Sequence, residues 1–151
     1  MKVFIFVCII AEFCVALSMQ DTPHDQCDDG PGPLALRVEG CDSLPCYIYK
    51  GTNMSAQWDF LANADAKALE PRVEVSIGGI SISYPFPEKD ACKSLTNGKC
   101  PLKKDTKATY NLNMPINKNY PSVSPTIQFT LIDDNQNVQV CFSLECVVTD
   151  K

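Results

Sequence analysis

Apolar side chains stand at every second position along most of this chain, and this period constrains the fold more than any other sequence feature. In the clearest run, Met54 to Phe60, apolar residues alternate with serine, glutamine and aspartate. Alternation of this kind is typical of a strand that buries one face. Further runs with this period lie at residues 34–39, 73–84, 108–116, 127–132 and 138–148, and Ile48 marks a short strand between the first two runs. About seven strands separated by turn signals predict an all-β fold, an antiparallel two-sheet sandwich.

Two segments interrupt this period. Gly78-Gly79 falls inside the run 73–84 and is expected to form a bulge or bend within one strand. The stretch from Ala62 to Leu69 has the only helical pattern, which Pro71 limits to a turn or two. Neither interruption changes the expected fold class.

The strand that ends in Tyr84 carries the clearest signal of a sheet edge. Ile80, Ile82 and Tyr84 alternate with serines, so this strand is expected to be half-buried with one apolar face. Pro85 and Pro87 end it, and neither can donate a hydrogen bond to a neighbouring strand. The strand is therefore predicted at a sheet edge, with Tyr84 at the mouth of a pocket between the two sheets.

The N-terminus has the pattern of a secretory signal peptide, predicted over residues 1–18. It contains an apolar run from Val3 to Ile10, and small residues place the cleavage site after Ala16 or Ser18. The rest of the chain, residues 19–151, has the length of one domain. We therefore expect a secreted protein that acts outside the cell or in the lysosomal lumen. The net charge of −5 argues against nucleic acid as a partner.

The cysteines predict a disulfide framework. Of nine cysteines, Cys8 and Cys14 lie in the signal peptide, and the remaining seven predict three disulfides and one free thiol in an exported protein. The Asn97-Gly98 turn makes a local disulfide between Cys92 and Cys100 geometrically easy. A zinc site is not expected, because the chain has no C-x-x-C pair and a single histidine.

Strand parity indicates which cysteine stays unpaired. Cys146 shares its strand face with apolar residues such as Phe142 and Leu144, so it is expected to be a buried free thiol. Cys141 points to the opposite face and is therefore available to pair at the surface.

Two surface features are expected. Asn53 begins the only N-x-S/T sequon, and its parity with Ser55 and Gln57 places this predicted glycosylation site on the outward strand face. A basic patch is predicted beside the pocket mouth, where it would face anionic lipid headgroups, although such a patch is often simply a solvated surface. The patch consists of Lys93, Lys99, Lys103, Lys104 and Lys107.

Catalytic motifs are missing from the sequence. The single histidine, His24, lies in a polar N-terminal segment and leaves no base for a serine or cysteine triad. No glycine-rich phosphate loop or metal motif occurs, and a hairpin turn explains the adjacent Asp133 and Asp134. We therefore expect neither an enzyme nor a cofactor.

Several ordered motifs carry a family resemblance. They are Y-P-F-P-E-x-D-x-C from Tyr84, C-P-L-K-K-D-T from Cys100, M-P-I-x-x-x-Y-P from Met114 and L-x-D-D-N-Q before Cys141. With the cysteine framework, they resemble the Niemann-Pick type C2 branch of the ML lipid-recognition family over essentially all of residues 19–151. The resemblance implies an immunoglobulin-like sandwich that encloses an apolar lipid cavity.

The resemblance also implies specific disulfides and lipid contacts. It pairs Cys27 with Cys141, Cys41 with Cys46, and Cys92 with Cys100. The family's sterol-contacting positions correspond to Tyr84, Ile116 and Tyr120. Further lining positions correspond to Val38, Ile48, Pro121, Phe129 and Phe142. Trp58 joins the expected lining because its strand parity points it inward.

The chain differs from the family's vertebrate sterol carrier at several of these positions. Tyr84 stands in place of a phenylalanine, and Phe129 and Phe142 stand in place of tryptophans. Gln57 occupies the family's usual glycan position, and Cys146 is additional. Arthropod members of this branch have been associated with fatty acids and chemical signals. The expected ligand is therefore a sterol or a long-chain fatty acid or semiochemical.

These features predict a monomeric, secreted lipid carrier. It would hold one lipid between its sheets and transfer it to a membrane surface or to a lipid-accepting receptor. A second hypothesis is an interaction protein that presents lipid or microbial glycolipid in innate immune recognition. An exposed apolar patch or stable self-association would favour the second hypothesis.

Overall fold

The computed structural model describes residues 20–151, so the predicted signal peptide and its cleavage site lie outside the described residues. In chain order the strands are β1 Asp25–Gln26, β2 Ala35–Val38, β3 Cys46–Tyr49, β4 Asn53–Leu61, β5 Leu69–Ile77, β6 Ile80–Tyr84, β7 Leu95–Asn97, β8 Lys107–Pro115, β9 Thr126–Asp133 and β10 Val138–Thr149. A short 3₁₀ helix, Ala91–Ser94, lies between β6 and β7. Within residues 20–151 no helix has the length and apolar character needed to cross a membrane.

The strands form two sheets that face each other. One sheet has the order β1-β10-β9-β5-β6, with β3 also paired to β10, and the other has the order β2-β4-β8-β7. The pairing of β3 with β10 is parallel, and the other strand pairs are antiparallel. The all-β two-sheet sandwich is confirmed. It has ten strands rather than about seven, because β1 and β7 are short and the run 73–84 is divided.

The period-two runs place one face of each long strand in the core. In β4, Met54, Ala56, Trp58 and Phe60 are buried, while the residues between them are partly exposed. β8 repeats this pattern beside β4, with Tyr110 opposite Trp58 in register. Aromatic side chains of β9 and β10 meet this layer from the other sheet, so the core lies between the sheets.

The prediction of one bent strand at residues 73–84 is wrong. Gly78 and Gly79 form a two-residue hairpin turn between β5 and β6, and both have positive φ values that suit glycine, 57° and 83°. Ile80 and Ile82 were expected to be half-buried but are 72% and 58% exposed. The alternation identifies their apolar face correctly. However, β6 is an edge strand paired only with β5, and this face is left uncovered.

The prediction of a helix from Ala62 to Leu69 is also wrong. Residues 62–68 are irregular and cross from one sheet to the other, and Leu69 already belongs to β5. The backbone of this crossing segment bonds to other loops instead of to itself. Ala66 forms an isolated bridge with Leu102, and the amide of Ala62 donates to the Thr106 carbonyl at 2.9 Å. These tertiary contacts outweigh the helix propensity of the four alanines in this segment.

Three disulfides join Cys27 to Cys141, Cys41 to Cys46 and Cys92 to Cys100. These are the pairs that the resemblance implies. Cys141 is fully buried rather than at the surface, because residues 27–31 cover it and its amide donates to the Pro31 carbonyl. Cys146 is unpaired and buried, directly opposite Cys46 in the β3–β10 pairing. Burial raises the pKa of its thiol to about 12.

Candidate functional site

An aromatic cluster lies at the centre of the sandwich. Trp58 of β4 is 4.7 Å from Tyr110 of β8, measured between ring centroids. From the opposite sheet, Phe142 of β10 approaches Trp58 at 5.0 Å and Phe129 of β9 at 6.0 Å. The four residues are at most 2% exposed. Side chains of both sheets therefore fill the space between the sheets at this level, and three of the expected lining residues lie in it.

A second group closes the gap between the β6 edge of one sheet and the end of β8 in the other. Tyr84 ends β6, and its hydroxyl lies 3.1 Å from the Tyr120 hydroxyl and donates to the Pro115 carbonyl at 3.4 Å. Burial, supported by the hydrogen bond with Tyr120, raises the pKa of Tyr84 to about 12. We call this group, with the adjoining Ile116, the tyrosine end of the sandwich.

Ile116 is the inward-facing residue of the tyrosine end. Its amide donates to the Thr52 carbonyl and its carbonyl accepts from the Gly51 amide, both at 2.8 Å. Its backbone is therefore fixed, while its buried side chain joins the apolar core. Pro121, expected among the lining residues, is exposed after the turn that the Tyr120 amide forms with the Asn117 carbonyl. The structure thus places Pro121 on the outer surface of this end.

Val38 and Ile48 belong to a third group, which adjoins Ile116 through Thr52. They line a cleft of about 250 Å³ between the end of β2, β3 and the start of β4. The rim of this cleft is partly polar and includes Asn53, which is exposed at the start of β4. The expected lining residues therefore divide into the aromatic cluster, the tyrosine end and this cleft.

The opposite end of the sandwich is closed by a polar network that the sequence did not predict. Gln139 is fully buried, accepts from the Asn63 amide at 2.7 Å and donates to the Asp133 carboxylate at 2.7 Å. The crossing segment 62–68 is also held by Asp134, which accepts from the Lys67 amide. We call Asp133, Gln139 and segment 62–68 the polar end.

Asp133 is the centre of the polar end. Burial alone would raise its pKa, but hydrogen bonds from Asn137, Asn135 and Gln139 outweigh burial and lower the pKa below the ordinary value of 3.8. Its two carboxylate oxygens accept from the backbone of Asn135 and Asn137 and from the side chains of Asn137 and Gln139. The predicted hairpin turn is therefore present, and its aspartate also helps to join the turn to the crossing segment.

The prediction that the basic patch borders the pocket mouth is wrong. Lys107 begins β8, whereas the tyrosine end adjoins Pro115 at the other end of this strand. Lys103 forms an ion pair with Asp65 of the crossing segment at 3.2 Å, and Lys107 pairs with Asp59 at 3.6 Å. Lys103, Lys104 and Lys107 thus lie towards the polar end, where carboxylates partly neutralise them. Closeness in sequence to the Cys92–Cys100 loop did not indicate which end the lysines occupy.

Two polar groups accompany the aromatic cluster. The Tyr110 hydroxyl donates to the Glu88 carboxylate, which also accepts from Ser94, and burial together with Glu88 raises the pKa of Tyr110. The indole nitrogen of Trp58, Nε1, is buried without a hydrogen-bond partner, the one such side-chain nitrogen or oxygen in the described chain. The sequence predicted the inward direction of both rings but not these polar environments. Among residues 20–151 no group of three or more His, Cys, Asp or Glu side chains is placed to hold a metal ion.

Family comparison agrees with this architecture. The family model described as ML domain matches residues 21–148. The chain belongs to the Niemann-Pick type C2 branch of the ML domain family. This ML domain is 28% identical over 148 residues to the NPC intracellular cholesterol transporter 2 of Mus musculus, covering 97% of this chain and 98% of that protein.

Two further relatives support the assignment. The NPC intracellular cholesterol transporter 2 homolog a of Drosophila melanogaster is 30% identical over 111 residues, covering 72% of this ML domain and 74% of the relative. The crystal structure of a Niemann-Pick type C2 protein from Japanese carpenter ant superposes with a TM-score of 0.76 at 20% identity. That alignment covers 84% of this chain and 99% of the ant chain, so the sandwich fold is shared.

Proposed function

We propose that this ML domain is a secreted lipid carrier that holds one apolar molecule between its two sheets. The observation that carries the proposal is the tyrosine end, where hydroxyl and side-chain contacts close an edge in front of an aromatic interior. Cargo would pass between Tyr84, Ile116 and Tyr120 and displace side chains of the aromatic cluster. Family membership and a relative named as a cholesterol transporter support this function. The predicted signal peptide and the three disulfides support an oxidising compartment, extracellular or lysosomal.

Apolar burial supplies the driving force for binding. Each methylene removed from water contributes about 0.8 kcal/mol. A long acyl chain or a sterol skeleton therefore offsets the ordering costs of binding. Both ligand classes fit this energetic argument, because the cluster and the tyrosine end present apolar surface with few polar groups.

The β5–β6 hairpin supports exchange with a membrane. Ile80 and Ile82 are exposed on the strand that ends in Tyr84, and Ile77 is exposed on its partner β5. Exposed apolar groups of this kind mark interaction surfaces. The same isoleucines favour a second candidate function, presentation of the bound lipid to a receptor. Transfer to vesicles by a monomer would favour the carrier. Stable self-association in sedimentation experiments would favour presentation.

The substitution Ile116→Asp tests the carrier proposal. It places a carboxylate against the bound lipid, and burying an unpaired charge costs several kcal/mol. We expect affinity for a fluorescent sterol and a fluorescent fatty acid to fall by at least about a hundredfold. Fluorescence titration of the delipidated protein measures both affinities.

The fold of this variant is expected to survive. The two backbone hydrogen bonds of Ile116 do not depend on its side chain, and we expect the tyrosine end to admit water to the new carboxylate when no lipid is bound. Ile116→Leu is the matched control and should bind both lipids almost as wild type. Unchanged lipid affinity in Ile116→Asp would place the ligand elsewhere, and global unfolding would assign Ile116 to a closed core.

A further inference from the structure

The Trp58 indole is the least satisfied buried group in the described chain. Its Nε1 donor is buried without a hydrogen-bond partner, and the residue is 1% exposed. Buried donors in native proteins are almost always paired, so an unpaired one calls for an explanation. In a protein that takes up a ligand, the missing acceptor can belong to that ligand.

Protein groups around the indole offer little competition for this donor. Phe142 and Phe129 approach it from the opposite sheet with apolar rings, which accept hydrogen bonds only weakly. Tyr110 is the nearest ring, but its hydroxyl donates to Glu88 and lies outside hydrogen-bond reach of Nε1. Tyr110, Glu88 and Ser94 thus bond to one another, and Trp58 Nε1 is the buried side-chain donor of the described chain that is left without an acceptor.

We propose that Trp58 Nε1–H donates a hydrogen bond to an oxygen at the buried end of the bound lipid. This inference rests on the proposed carrier function and narrows its ligand class. The preferred cargo carries a carbonyl, carboxyl or hydroxyl oxygen on the part that lies deepest between the sheets. A fatty acid that enters head first and a sterol oxygenated on its tail both supply this chemistry. A lipid with a plain hydrocarbon end would leave the Trp58 donor unpaired. A site built to form such a bond binds a ligand that lacks the oxygen more weakly than one that carries it.

The donor can be observed directly, because Trp58 is the only tryptophan in the chain. A ¹⁵N-labelled sample of the full mature protein should give one indole N–H signal. The probes are two matched pairs, palmitic acid with hexadecane and 25-hydroxycholesterol with cholesterol. We expect palmitic acid, 25-hydroxycholesterol or both to move the indole proton downfield, while hexadecane does not. The two pairs separate the fatty-acid source of the oxygen from the sterol source.

Affinities in the variant Trp58→Phe provide the second measurement. Affinity for an oxygen-bearing probe should fall roughly threefold to tenfold, the usual contribution of one hydrogen bond. Affinity for hexadecane should change less, so the preference for the oxygen-bearing probe over hexadecane should disappear. Phe60→Leu is the matched control, because it removes buried volume from the same strand and keeps the donor.

The outcomes distinguish the two proposals. If lipids bind but no oxygen-bearing probe moves the indole proton downfield, the Trp58 inference is overturned and the carrier function stands. If Trp58→Phe retains the full oxygen preference, the inference is overturned as well. If Trp58→Phe does not fold, the shift of the indole proton in the wild-type protein alone decides whether the Trp58 inference holds. Failure of every probe to bind the wild-type protein would overturn both proposals.

Discussion

At the polar end, buried Asp133 and Gln139 hold the crossing segment against the β9–β10 hairpin with directional hydrogen bonds. At the tyrosine end, the sheets meet through two hydroxyls, the Pro115 carbonyl and apolar side chains such as Ile116. Breaking a buried polar network leaves groups that water cannot reach, and each such group costs about 1–3 kcal/mol. Apolar contacts have no directional requirement, and a lipid can replace them.

This contrast assigns different roles to the two ends. The polar end fixes the crossing segment to the β9–β10 hairpin, because its directional bonds form in one arrangement only. The tyrosine end can separate at lower cost, because the Tyr84 and Tyr120 hydroxyls are partly exposed and water can replace their partners. We therefore expect lipid uptake at the tyrosine end, away from the lysines that pair with Asp65 and Asp59.

The Cys146 thiol gives the largest expected effect, because it reports whether the interior opens. Its pKa of about 12, raised by burial from 9.0, leaves roughly a thousandfold less thiolate than an ordinary cysteine has near neutral pH. Alkylation by iodoacetamide, followed by mass spectrometry, should be slower by at least this factor in the native protein. Lipid bound between the sheets should slow it further.

Alkylation rates in variants of each end test which end opens. Loosening the tyrosine end should speed alkylation more than an equally destabilising change at the polar end. Rapid labelling of the native wild-type protein would show that the interior is open without any such change.

Replacing the central carboxylate of the polar end should affect stability next most strongly. Asp133→Asn removes charge-assisted hydrogen bonds and should lower the free energy of unfolding by about 2 kcal/mol at pH 7. The folded-state pKa of Asp133 lies below 3.8, so its stabilisation is complete above the unfolded-state pKa and is lost as pH falls through the folded value. Urea unfolding from pH 7 to pH 2 measures the free energy of unfolding of both proteins. The difference between Asp133→Asn and wild type should shrink below about pH 4.

A matched control separates this network from general charge effects. Asp29→Asn removes an exposed carboxyl from the N-terminal segment and should leave the free energy of unfolding at pH 7 close to wild type. Lipid affinity should stay close to wild type in Asp133→Asn. A large loss of affinity in a folded Asp133→Asn protein would mean that the polar end also takes part in binding.

The smallest effect is expected from Tyr84→Phe. Removing the hydroxyl breaks its contacts with Tyr120 and the Pro115 carbonyl, and a partly exposed hydrogen bond contributes about 1 kcal/mol at most. We expect the melting temperature to change little and lipid release to become a few-fold faster. Stopped-flow transfer of a fluorescent lipid to vesicles measures this rate. Tyr120→Phe is the matched control, because it preserves the contact between Tyr84 and Pro115. Equal rates of lipid release from wild type and from Tyr84→Phe would mean that the hydroxyls do not restrain the tyrosine end.

Much of this architecture could be predicted from local chemistry. Alternation identified the buried residues of β4 and β8, since the period of a strand is two whatever surrounds it. The proline stop after Tyr84 placed β6 correctly at an edge, because proline cannot donate to a further strand. Parity assigned Cys146 to the interior for the same local reason.

The errors arose where the answer depends on distant parts of the chain. Ile82 lies on an apolar face, but only the extent of the opposite sheet decides whether that face is covered. Segment 62–68 contains helix-forming alanines, yet its backbone bonds to loops far away in sequence. Likewise, the pairing of Lys103 with Asp65, and of Gln139 with Asp133, joins residues whose proximity no local pattern encodes. The unpaired Trp58 nitrogen became evident only once its neighbours were placed.

The connections on either side of β3 determine how such a sandwich can widen. The chain passes from β2 to β3 and from β3 to β4, each time changing sheet, and the Cys41–Cys46 disulfide closes the first of these passages. Both passages are short, so we expect this side to act as a hinge line along which the sheet separation changes little. Widening should then be greatest at the distant β6 side, where the longer connection at residues 85–94 joins the sheets, and the space that forms would be a wedge. A tapered molecule fits a wedge best, with its slender part towards the hinge line and its bulky part beside Tyr84.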